Sequence, residues 1–294
     1  MPHPKIEVTV TEDLARTLLR RQHPDLADLP LRWVGTGWDN ALWRLGDHLA
    51  LRFPVRESAV PLVIHEQQWL PVLAPHLPVD VPVPVRVGVA GAGYPWPWSV
   101  VPWFDSVSAG VTPVEERGAW AEQLADVFVA LHRPAPVDAP RNPFRGVPLA
   151  TRRQAVEHRA RTVVPRRAER VLARFDALAA APTWDGQPLW LHGDPHPANL
   201  LVHDGALRAV IDFGDLTSGD PACDLSTAWL TFDADARARF RARVDAGCGW
   251  DDAMWRRAQA WALSMSVSLL AHPDEYPELA AMGRHGLAQA LAED

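Results

Sequence analysis

The stretch Leu191-His192-Gly193-Asp194-Pro195-His196-Pro197-Ala198-Asn199-Leu200 sets an acid, two imidazoles and an amide among two prolines and a glycine. Prolines two residues apart rule out regular helix, so the segment is a stiff loop. Such a loop holds polar side chains at fixed angles, which catalysis needs and packing does not. Thirteen residues beyond Asn199, Val210-Ile211-Asp212-Phe213-Gly214-Asp215 carries an acid at the end of a short apolar run. A hairpin from 200 to 211 would bring Asn199 and Asp212 side by side. An amide oxygen and a carboxylate there suit Mg²⁺, a hard ion that prefers oxygen and often shares its coordination with phosphates. The blander reading of Asp194 is a turn carboxylate that caps the next strand.

The elements that must position these residues fall into two groups. Apolar periodicity predicts a helix over 11–21, then an antiparallel meander of strands at 31–35, 41–45 and 49–53. A helix over 58–74 and strands at 81–88 and 98–101 complete the first group. From about residue 111 helical patterns dominate, at 114–132, 152–161, 166–180, 222–232, 234–246, 252–270 and 278–292. Short strands at 189–191, 200–203 and 207–211 interrupt them once. The expected fold class is α+β, a small antiparallel sheet followed by a larger, mainly helical part. Domains are expected at 1–102 and 103–294. The turn-rich segment 134–148 reads as a surface connection.

Composition narrows the class. The 294 residues are 48% hydrophobic and 22% charged, enough to bury a core, and 28 prolines break the chain into short segments. A net charge of -7 argues against a nucleic-acid partner. Two cysteines, Cys223 and Cys248, make no disulfide framework. The start lacks the apolar core of a signal peptide, and no apolar run reaches the ~18 residues of a membrane span. The expectation is a soluble, cytoplasmic protein without a membrane partner. Of 29 basic residues only Lys5 is a lysine, so chemistry that usually needs lysine falls to arginine.

Asp-x4-Asn followed by Asp-Phe-Gly is the phosphoryl-transfer pattern of protein kinases. Here His192-Gly193-Asp194 replaces the His-Arg-Asp of that pattern, and Gly219-Asp220-Pro221-Ala222-Cys223-Asp224-Leu225 follows. These linked pieces resemble the aminoglycoside phosphotransferase family, with choline kinases and related small-molecule kinases. The resemblance runs from about 31 to 230 and is most specific over 191–225. It implies a bilobal protein-kinase-like fold, ATP or GTP as co-substrate, and a link to antibiotic resistance. Position by position, it implies that Asp194 orients the acceptor hydroxyl and takes its proton, while Asn199 and Asp212 hold Mg²⁺. His192 and His196 would brace the loop, and Asp220 and Asp224 would serve as scaffold near a helix start.

In the first part, Arg52 stands where kinases place a phosphate-binding lysine, and Glu66 would be its ion-pair partner. An arginine fork suits phosphate oxygens, although the swap alters the geometry. The alternative is a strand-edge arginine and a helix glutamate facing water. Trp38 and Asn40, in Gly35-Thr36-Gly37-Trp38-Asp39-Asn40, would cover the nucleotide or simply form a hairpin turn. Val101 and Trp103 resemble the connector whose backbone meets the base.

Residues 215–294 carry 13 Asp/Glu against 7 Arg, an acidity that suits a cationic, hydroxyl-bearing acceptor such as an aminoglycoside. Candidate contacts are Asp233, Asp235, Asp251, Asp274 and Glu275; a solvated helical surface is the alternative. A macrolide, tuberactinomycin or nucleoside antibiotic, a metabolite, or a non-catalytic nucleotide-binding role are the other readings. A protein kinase would need an activation segment ending in Ala-Pro-Glu and a glycine-rich phosphate loop, and neither is present.

Overall fold

Alternating apolar side chains write the first sheet. In β2 (Asn40–Leu45) Ala41, Trp43 and Leu45 are buried while the residues between them are half-exposed, the period of a strand with one face on a core. It pairs antiparallel with β1 (Leu31–Thr36) and β3 (Leu49–Pro54). β5 (Trp98–Pro102) continues beside β3, and β4 (Arg86–Gly88) closes the edge, giving the order β1-β2-β3-β5-β4. The predicted strand over 81–88 survives only as β4. Pro82 and Pro84 have no N–H to donate, and the Val83 N–H turns back to the Val81 carbonyl at 2.8 Å.

The structure, a computed structural model, describes residues 5–292; residues 1–4, where the signal-peptide reading began, and residues 293–294 lie outside the described residues. The chain divides into two compact units. One comprises the described chain up to Pro75, Val81–Asp105 and Asp212–Gly214; the other comprises His76–Asp80, Ser106–Ile211 and the remainder from Asp215. The core of the first unit packs Leu18 and Leu19 of α1 (Glu12–Gln22) with Leu51, Phe53, Trp98 and Val100. Phe53 stacks on Trp98 at 4.9 Å, and the Tyr94 hydroxyl donates to the Pro54 carbonyl. Thr11 caps α1, accepting from the Leu14 N–H. This unit also contains α2 (Val60–Leu73).

In the second unit the predicted helix over 114–132 is broken into α3 (Val114–Arg117), a 3₁₀ turn and α4 (Ala121–Leu131), because Trp120 leaves helical geometry at φ -121. α5 (Arg153–Val163) and α6 (Ala168–Ala179) follow. Then come β7 (Leu189–Leu191), and the hairpin β8 (Leu200–His203) and β9 (Ala206–Val210), turned by Asp204 and Gly205 at positive φ. Two strands escaped the sequence reading because they are so short: β6 (Val107–Ser108), which pairs with β8, and β10 (Thr217–Gly219), which pairs with β7. α7 (Ala222–Leu225) and α8 (Thr227–Thr231) replace one predicted helix, and α9 (Ala234–Cys248), α10 (Asp252–Leu269) and α11 (Pro277–Leu291) end the chain. α10 is nearly encased, packed against α5, α6, α7, α8 and α11. Two of its polar residues are satisfied by helix carbonyls: Gln259 donates to that of Ala290 at 3.0 Å and Ser268 to that of Ser264. Among the described residues no helix is long and apolar enough to cross a membrane.

The β4–β5 contact is the tightest test of this packing. A Cβ on Gly88 would sit 2.0 Å from the Trp98 indole, itself fully buried. Gly88→Ala should therefore cost about 1–3 kcal/mol, read as a lower urea midpoint at unchanged slope. An unaltered midpoint would contradict the packing described.

Candidate active site

The loop between β7 and β8 begins with a residue that only glycine can fill. Gly193 has φ +89, and a Cβ there would lie 2.3 Å from the Asp215 carbonyl oxygen. This accounts for glycine where protein kinases carry arginine. The fully buried Asp224 carboxylate then accepts the His192 N–H at 2.8 Å and the Gly193 N–H at 2.9 Å, and lies 3.2 Å from His132 Nε2. Asp224 is thus scaffold, as expected, but it acts on the loop backbone rather than on a helix start. Asp220 anchors a second point: it pairs with Arg257 at 2.8 Å and accepts the Ala222 N–H.

His192 ties the loop to the hairpin. The Asp194 N–H donates to Nδ1 at 3.2 Å, so that nitrogen is the acceptor and Nε2 donates to the Ile211 carbonyl at 3.0 Å. Asn199 is buried and spends its amide nitrogen on the Asp194 carbonyl at 2.9 Å, which leaves the amide oxygen as the end available to a ligand. The Asn199 carbonyl accepts the Ile211 N–H at 2.9 Å, and Asp212 is the next residue in the chain.

Asp194 is held by an arginine and a histidine. Arg145 Nη2 lies 3.0 Å from one carboxylate oxygen and His196 Nε2 3.4 Å from the other. Burial alone would raise the Asp194 pKa, but Arg145, and after it His196, hold it well below the usual carboxylate range. Arg145 also contacts Asp215 at 3.2 Å, and Asn142 donates to Asp215 at 2.7 Å. So weak a base holds no proton at neutral pH; it can orient a hydroxyl and accept its proton only as transfer proceeds. The sequence reading missed Arg145 and Asn142, which lie in the segment taken for a surface connection. Neither stands at a spacing that links it to the loop.

In the first unit Arg52, on β3, and Glu66, on α2, face each other across a buried ion pair. Arg52 Nη1 reaches both Glu66 oxygens, at 2.8 and 2.9 Å, while Nη2 lies 3.3 Å from Asp212 Oδ1. Burial would lower the Arg52 pKa, but Glu66 and Asp212 raise it; burial raises that of Glu66 against the pull of Arg52. Asp212 adopts φ +62, a left-handed conformation that costs a residue with a side chain on the order of 1 kcal/mol or more.

The remaining candidates have local roles. Trp38 is exposed with the Arg56 guanidinium 5.9 Å from its ring, and the Asn40 carbonyl closes the hairpin turn by accepting the Gly37 N–H. Val101 is buried opposite Ala50, and Trp103 lies beneath Arg44 at 5.0 Å. Asp233 and Asp251 are the N-caps of α9 and α10. Asp235 is in the first turn of α9, and Asp274 and Glu275 are exposed ahead of α11. Among the described residues none of these five acids is hydrogen-bonded or ion-paired to Asp194, Asn199 or Arg145. No cluster of three His, Cys, Asp or Glu side chains suited to a metal occurs among the described residues either.

A model of the phosphotransferase enzyme family matches residues 30–261. The chain belongs to that family. Solved structures share its fold. The GDP complex of wild-type aminoglycoside 2'-phosphotransferase-IIIa is similar at 20% identity and TM-score 0.70, with 96% of this chain and 99% of that one covered. The macrolide 2'-phosphotransferase MphH from Brachybacterium faecium is similar at 23% identity and TM-score 0.63, over 96% and 99%. The ADP-bound aminoglycoside phosphotransferase APH(2'')-Ib is similar at 15% identity and TM-score 0.58, over 97% and 100%. No curated protein matches the sequence. For this phosphotransferase the match spans both the Arg52–Glu66–Asp212 group and the Asp194 loop.

The depressed Asp194 pKa fixes a pH signature. A carboxylate stabilised in its ionised form contributes to stability above its unfolded value near 3.9, and that contribution fades as pH falls through the lower folded value. A ¹³C titration of the Asp194 carboxyl carbon should show no protonation step between about pH 4 and 8. A step near pH 4–5 would contradict the Arg145 and His196 pairing.

Proposed function

We propose that the protein transfers the γ-phosphoryl group of ATP or GTP to a hydroxyl of a small molecule, with aminoglycoside-type antibiotics the first acceptors to test. The observation that carries this is the ionised Asp194, fixed by Arg145 and His196 and followed five residues later by Asn199 with its amide oxygen unspent. Asp194 orients the acceptor oxygen and receives its proton as the new phosphate ester forms. Because in-line transfer needs little covalent help from protein, orientation and charge carry most of the rate.

Asn199 and Asp212 are our proposed Mg²⁺ ligands. Both offer the hard oxygens that the ion prefers, and they would hold it beside the phosphates of a bound nucleotide. The absence of a larger acidic cluster among the described residues fits such a site. When bound, Mg²⁺ would neutralise charge on the phosphates. Arg52, locked by Glu66 and carrying one Nη toward Asp212, is the proposed phosphate-side cation. The left-handed backbone of Asp212 supports a functional role, since strain of this kind persists where geometry is needed. Family membership favours this over a non-catalytic nucleotide-binding role, as all three of Asp194, Asn199 and Asp212 are present. A cationic, hydroxyl-bearing acceptor and a cytoplasmic location belong to the same proposal.

Nucleotide consumption over a panel of aminoglycosides, macrolides, tuberactinomycins, nucleoside antibiotics, choline and sugars tests it. At least one acceptor should stimulate ADP or GDP release. Asp194→Ala should lower that turnover by about 10²–10⁴-fold while nucleotide affinity holds. Wild-type turnover in that variant would remove Asp194 from the reaction.

A further inference from the structure

An arginine buried without a counter-charge loses hydration and recovers nothing for it. In the second unit the equally buried Arg117 also lacks an acid, but it spends its guanidinium on the Thr112 and Thr231 carbonyls, whereas Arg152 and its half-buried companion Arg159 have no such acceptors among the described residues. Arg152, at the end of the 3₁₀ turn that leads into α5, is 7% exposed. Among the described residues it makes no hydrogen bond or ion pair, and its Nε is buried without a partner. Its guanidinium lies over the Phe144 ring at 5.4 Å. The next residue in the chain is Arg145, which grips Asp194.

Arg159 follows Arg152 by seven residues, two turns along the same face of α5. Its Nη1 is also buried without a partner, and it makes no ion pair among the described residues. The other arginines of α5 behave differently: Arg153 pairs with Glu157 and Asp176, and Arg161 with Glu157 and Glu169. The helix therefore neutralises one side and leaves the other charged. The three guanidinium groups also sense one another. Burial first, then the charges of Arg159 and Arg145, lower the proton affinity of Arg152; burial, then Arg145, lower that of Arg159.

We propose that Arg152 and Arg159 form an anion subsite next to the Phe144–Arg145 segment that takes a carboxylate or phosphate group carried by the acceptor. A planar guanidinium presents paired donors that match either group, and an anion would supply the counter-charge that the protein itself withholds. Arg145 cannot serve this purpose, being committed to Asp194 and Asp215. The assignment rests on the reading of Asp194 as the acceptor-orienting group. It adds an anionic group to the acceptor, whatever amines the rest of that molecule carries.

Two measurements keep the subsite and the activity apart. The first is thermal unfolding of the full chain with about 20 mM inorganic phosphate against chloride of equal ionic strength, which needs no turnover. The wild type should gain about 3 °C, and Arg159→Gln should lose most of that gain. Arg152→Met should lose it too, yet melt no lower than wild type without phosphate, because a costly charge has gone. No gain in the wild type, or an equal gain in Arg159→Gln, overturns the subsite. The second compares matched hydroxy acids with their amides as acceptors. The acid should have a KM about tenfold lower in the wild type and no advantage in Arg159→Gln. Phosphate binding without acid–amide discrimination overturns the assignment to the acceptor, whereas failure to phosphorylate any member of the wider panel counts against the transfer reaction itself.

Discussion

One buried carboxylate determines the shape of the loop over 192–199. Asp224 has no solvent exposure, yet it faces two backbone N–H groups at the loop's start and an imidazole. An acid placed there without those donors would be expelled or neutralised, so the loop and Asp224 enforce each other. Everything downstream inherits that constraint: the left-handed Gly193, the His192 bridge to the end of β9, and the direction in which Asp194 leaves the backbone. The loop is placed before any substrate arrives, and preorganisation of this kind is where such a reaction gains its rate.

Charge is arranged around that loop in two layers. Asp194 and Asp215 share Arg145, so Asp194 stays ionised. Beyond them Arg152 and Arg159 are left without acids. In the first unit the opposite balance holds, with Arg52 set between Glu66 and Asp212. A chain with one lysine has placed arginine at each of these points, and arginine cannot be neutralised by burial as lysine can. The cost of burial then falls on the structure, which must supply partners or recruit them.

Much of this was legible in the sequence because it was local. Two prolines and a glycine marked the 192–199 loop, and the strand period marked β1 to β3. The pairing of Arg52 with Glu66 was legible only through the resemblance to kinases, which place a basic residue and a glutamate at those positions. Arg145 was invisible because its partner is forty-nine residues away and nothing in 134–148 repeats or alternates. The strand expected at 81–88 shrank because two missing N–H groups outweighed its apolar residues. The acids Asp233 and Asp251 looked like charge available to an acceptor, and capping is a use that composition does not reveal.

The most direct test of the central claim is Asp224→Asn. The substitution keeps size but turns an amide nitrogen or a single oxygen toward two N–H donors, so the loop should relax by a fraction of an ångström. In a variant that remains folded by circular dichroism, nucleotide affinity should hold while single-turnover phosphoryl transfer slows by about 100-fold. Transfer at the wild-type rate would contradict the claim that this buried carboxylate positions Asp194.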